Sequence, residues 1–137
     1  MLNLLYIYMK ELKLSKICKV NNTMSDQKLI FIAHPIDFFS KTLKNIATSH
    51  GLDVYILDEY EDFNYLASDL KPEMILVHED IFEEYEQSFR SAKNENKCLL
   101  SLIGTEKTSN THDYYFVSPL DPNQLVEEIL AILKNEN

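Results

Sequence analysis

Two unbroken apolar runs, Leu29-Ile30-Phe31-Ile32-Ala33 and Met74-Ile75-Leu76-Val77, constrain this chain more than any other feature. A strand with one wet face alternates apolar and polar residues, whereas a run with no polar side belongs to a strand covered on both faces, as in a parallel sheet between helix layers. The intervening segments agree. Ile36, Phe39, Leu43, Ile46 and Ala47 are spaced as one face of a helix that stops at Gly51, the usual residue for a left-handed helix end. Val54 to Leu57 reads as a second strand, and Phe63 to Leu70 as a short helix halted by Pro72. Phe82, Tyr85, Phe89 and Ala92 mark one face of a third helix, with Glu83, Glu84 and Glu86 outside it. Cys98 to Ile103 and Tyr115 to Val117 give strands four and five. Asp121-Pro122-Asn123-Gln124 then opens a last helix that turns Leu125, Ile129, Ile132 and Leu133 inward. The polar stretch between Gly104 and Asp113 has no apolar helical face and reads as a loop. Alternating strands and helices of this kind predict an α/β fold with a parallel sheet.

At 137 residues the chain suits one core. Residues 1–27 read as an N-terminal extension and 28–137 as the domain. For the extension two readings stay open: a flexible tail or upstream-start artefact, with Met24 as the true initiator, or a weakly amphipathic helix from Leu4 to Ile17. Four lysines and one Glu give residues 1–23 a local charge of +3, so the total of −9 leaves −12 on the rest. An acidic body of this kind repels phosphate backbones, which argues against nucleic acid and for a basic or mixed-charge protein partner. No run approaches the length of a membrane helix, and Met1 to Met9 is followed rather than preceded by lysines, unlike a secretory signal. Cys18 and Cys98 form no metal or disulfide pattern, so a cytoplasmic location is expected. With two glycines, Gly51 and Gly104, neither a GxGxxG nor a GxxxxGK phosphate cradle can exist.

The strand-one start, the Pro72 to Val77 stretch and Val117-Ser118-Pro119-Leu120-Asp121-Pro122-Asn123-Gln124-Leu125 together resemble the receiver domain of bacterial two-component response regulators, from about Lys28 to Lys134. The resemblance implies a flavodoxin-like three-layer α/β/α fold with strand order 2-1-3-4-5, its fourth helix missing or reduced to the Gly104–Asp113 loop. It also implies positions for a phosphorylation pocket, and there this sequence departs. The phosphoacceptor Asp falls on His78 and the metal-binding acidic pair on Ala33 and His34. The switch hydroxyl aligns with Ile103 or Gly104, leaving Thr105 as the nearby candidate, and Ser118 replaces the Lys before Pro119. An acyl phosphate needs a carboxylate nucleophile beside Mg²⁺ held by further carboxylates, so Mg²⁺ binding and aspartate phosphorylation are expected to be lost.

The leading expectation is therefore a non-catalytic pseudo-receiver in a bacterial signalling or localisation pathway, acting through protein contacts and not as an enzyme. One alternative is an atypical regulator phosphorylated at a displaced carboxylate, Asp80 or Glu79. Another is a transition-metal or ligand site using His34 and His78 with Asp37, Glu79 or Asp80, and with His112 from the loop. The acidic residues around helices two and three read as solvated faces. Tyr60, Phe63, Tyr65 and Tyr85 are interleaved among them and suggest a docking surface, and Tyr114 with Tyr115 suggests a second.

Overall fold

The computed structural model describes residues 27–105 and 112–135. Five parallel strands form one sheet: β1 (Lys28–Ala33), β2 (Leu52–Ile56), β3 (Met74–His78), β4 (Leu99–Gly104) and β5 (Tyr114–Val117), in the order β2-β1-β3-β4-β5. Five helices connect and follow them: α1 (Asp37–Ser49), α2 (Asn64–Leu70), α3 (Glu79–Glu84), α4 (Glu86–Asn96) and α5 (Pro122–Asn135). The expected strand order and layering are present.

The pleat divides the core. Ile30, Ile32, Met74, Leu76 and Ile103 point to one face, where Leu43 and Ala47 of α1 and Leu125, Val126, Ile129 and Leu133 of α5 cover them. Phe31, Ala33, Ile75, Val77, Leu100 and Leu102 point to the other, beneath Ala67 of α2, Ile81 and Phe82 of α3, and Phe89 and Ala92 of α4. This two-sided burial is why β1 and β3 carry no polar alternation.

Helix ends follow from local chemistry. Gly51 takes a left-handed φ of 81°, and its amide and that of His50 return to Thr48 and Ala47 carbonyls. Asp121 caps α5, its Oδ1 accepting from the Asn123 amide at 3.1 Å. The Gln124 side-chain amide donates to Glu128 one turn on, at 3.4 Å. Two expectations are corrected. The third helix starts directly after β3, placing Glu79 and Asp80 in its first turn, and it breaks at Tyr85, whose φ of −122° and ψ of 33° end α3 and begin α4. Both pieces stay on the core, Phe82 and Phe89 meeting at 6.3 Å between ring centroids. The N-terminal extension and residues 106–111, on which most of the loop reading rests, lie outside the described residues.

Candidate functional site

In a parallel sheet all strands end at one edge, and ligand sites in such folds gather there. The pairings Ala33↔Val77, His78↔Ile103 and Gly104↔Val117 bring the ends of four strands side by side. His34 follows β1 and His78 ends β3, and their rings meet edge to face at 5.0 Å between centroids. Each Nδ1 is engaged by backbone: that of His34 accepts the Ile36 amide and that of His78 the Asp80 amide, both at 3.1 Å. An Nδ1 that accepts leaves the proton of a neutral imidazole on Nε2. His34 also stacks on Phe39 at 4.4 Å. Burial, helped by the neighbouring His78, pushes its pKa down from 6.5 to about 4, so it is neutral at physiological pH.

The metal alternative does not assemble. Asp37 is exposed and pairs with Lys41 at 3.0 Å, His34 lies on an apolar ring, and His112 packs against Tyr115 at 5.4 Å. Among the described residues no three His, Cys, Asp or Glu side chains group so as to hold a metal ion. Ala33 is fully buried in the apolar layer.

The two displaced carboxylates face differently. Asp80 points outward with its side chain 75% exposed, 3.8 Å from His78 Nδ1. Glu79 points along the edge: its Oε1 accepts the Tyr115 hydroxyl at 2.9 Å and its Oε2 accepts the Thr105 amide at 3.2 Å, with the Thr105 hydroxyl at 3.4 Å. Gly104 makes room, because a Cβ there would fall on both the Glu79 carboxyl and the Tyr115 hydroxyl. Ser118 donates its amide to the Gly104 carbonyl at 2.7 Å and is joined to Pro119 by a cis peptide bond. Sequence reasoning singled out Glu79, Thr105 and Tyr115 without seeing that they meet. The available signal was Gly104 itself, a glycine in a strand where no turn requires one.

The aromatic surface is partly corrected. Phe63 is buried, its ring 4.9 Å from Phe89 and 6.4 Å from Phe31. Tyr60 and Tyr85 pair edge to face at 5.5 Å and are half-buried, as is Tyr114. Tyr65 is exposed, and so are Ile36 and Phe38, which flank the His34 loop and were not picked out as surface. Of the five residues read as the inward face of α1, Leu43 and Ala47 are buried and Phe39 and Ile46 pack against the core, while Ile36 lies outside as its N-cap.

No known protein family and no curated protein matches the sequence. Solved structures do match, and they define the class as flavodoxin-like α/β proteins of receiver topology. The receiver domain of the TMAO respiratory system response regulator TorR superposes with a TM-score of 0.67 at 15% identity, covering 80% of this chain and 99% of that one. A two-component response regulator from Clostridium difficile gives 0.65 at 17% identity, covering 81% and 99%. A response regulator receiver modulated diguanylate cyclase from Pelobacter carbinolicus gives 0.63 at 21%, covering 80% and 95%. The chain has the fold of a response-regulator receiver domain. Among the described residues no helix is long and apolar enough to cross a membrane.

Proposed function

We propose that this chain is a receiver-fold signalling module of the bacterial cytoplasm that acts by protein–protein contact, without phosphorylation of an aspartate and without catalysing a reaction. The observation that carries the reading is the end of β3. A receiver presents its phosphoacceptor carboxylate there; this chain presents His78, its Nδ1 committed to the Asp80 amide and its ring against neutral His34. Ala33 supplies no metal ligand, and Ser118 no cation to neutralise a phosphoryl group. The exposed Ile36 and Phe38 beside that edge, and the acidic body, favour a partner that offers both apolar and basic groups.

Incubating the protein with acetyl phosphate and Mg²⁺ and reading intact mass tests this. Unchanged mass is expected. A phosphoryl adduct mapped to Asp80 or Glu79 would replace the proposal with an atypical regulator that uses a displaced carboxylate. Asp80 is the more accessible of the two.

A further inference from the structure

Glu79 ties the ends of β3 and β4 to the body of β5. It is the first residue of α3, directly after β3; its partner Thr105 follows β4, and its partner Tyr115 lies in β5. One carboxylate thus receives a hydroxyl on one oxygen and an amide and a longer hydroxyl contact on the other. Hydrogen bonds to an ionised acceptor are the strong kind. The approach works only over a glycine, since a side chain at position 104 would displace both the carboxyl group and the phenol. Ile103, Phe116 and Leu102 lie in the apolar layers beside these contacts, and Tyr115 packs against the layer that contains Leu102.

We propose that Glu79 is a permanent latch. Its negative charge holds Thr105 and Tyr115, and with them the carboxyl end of β4 against β5, in one arrangement, so this edge does not wait for a charge to be added. The functional meaning of the latch rests on the reading of the chain as a module that works without phosphoaspartate. Its physical existence does not.

The test is NMR of the full chain, recording the Thr105 amide resonance and its hydrogen exchange, the Tyr115 and Val117 resonances, and the Leu76 and Leu102 amides as core references. Glu79→Gln keeps the shape and removes the charge; Gly104→Ala keeps the charge and blocks the approach. Both should speed exchange at Thr105 by about tenfold or more and shift Tyr115, while Leu76 and Leu102 stay protected. Asp80→Asn, one residue along and exposed, should change none of these. Tyr115→Phe, which removes a single oxygen, covers the case in which the first two variants fold poorly: it should still move the Thr105 amide resonance through their shared carboxylate. Thr105 unmoved in every variant that folds overturns the latch. Treating wild type with acetyl phosphate in parallel separates the two ideas. An adduct on Asp80 with the latch signature intact removes the phosphate-free reading alone, and no adduct with Thr105 unresponsive removes the latch alone.

Discussion

His34 shows how one residue's surroundings become a property of the fold. Its ring is half-buried between Phe39 and His78, which holds its pKa at about 4 against 6.5 when free. Above pH 6.5 the ring is neutral folded or unfolded and has no effect on the pH dependence. As pH falls below 6.5 the unfolded chain takes up a proton that the folded chain refuses until about pH 4, so stability is lost across that window and no further below it. Because the site is partly solvated, the loss is on the order of 1 kcal/mol, less than the full shift would imply. His34→Asn keeps an acceptor for the Ile36 amide but cannot titrate. Urea midpoints followed down through this window should fall more steeply for wild type than for the variant, and parallel slopes would mean that His34 carries none of the effect.

At the scale of elements, α2 and α4 end in the same unusual way. Lys71 and Lys97 hold left-handed φ values of 52° and 53°, a conformation that crowds a Cβ against the backbone. Both side chains are exposed, so glycine there relieves strain without removing packing. Lys97→Gly should raise stability by about 0.5 kcal/mol, the relieved strain less the extra entropy glycine gains in the unfolded chain; denaturant midpoints at constant slope would show it. Neither ending was legible, because Pro72 explains a stop after Leu70 without requiring a left-handed residue, and nothing around Lys97 marks one. The strands β1 and β3 and helix α5 were legible because burial on both faces, or a cap followed by a periodic apolar face, leaves a direct trace in residue type. The break at Tyr85 left none: Glu83, Glu84 and Glu86 are good helix formers, and Phe82 and Phe89, seven residues apart, would share a face of one unbroken helix as well. The site was legible by position, since strand ends predict proximity, which placed His34 beside His78. It was not legible by hydrogen bonding, since the sequence cannot tell that Glu79 turns along the edge while Asp80 turns out.

For the molecule as a whole, the proposed lack of aspartate phosphorylation would involve the core as well as the edge. Ala33 is fully buried in the layer shared with Phe31 and Val77, so an acid could not stand there without burying a charge, at a cost of several kcal/mol. His78 is the more replaceable position, being half-buried at a helix start. Mg²⁺ stabilises a protein only to the extent that it binds the folded state, by about 1.4 kcal/mol at ten times its dissociation constant. With Ala33, His34 and His78 at these positions, the described residues offer hard Mg²⁺ no group of three carboxylates or other ligands to bind. Its melting temperature in millimolar MgCl₂ should therefore equal that in NaCl of the same ionic strength. His78→Asp should behave the same way, since one restored carboxylate beside Ala33 and His34 does not make a site. A Mg²⁺-specific rise in the variant would show that Asp80 or Glu79 completes a ligand set. In that case the edge would be one substitution from working chemistry, and the claim that the core has closed off that chemistry would fail.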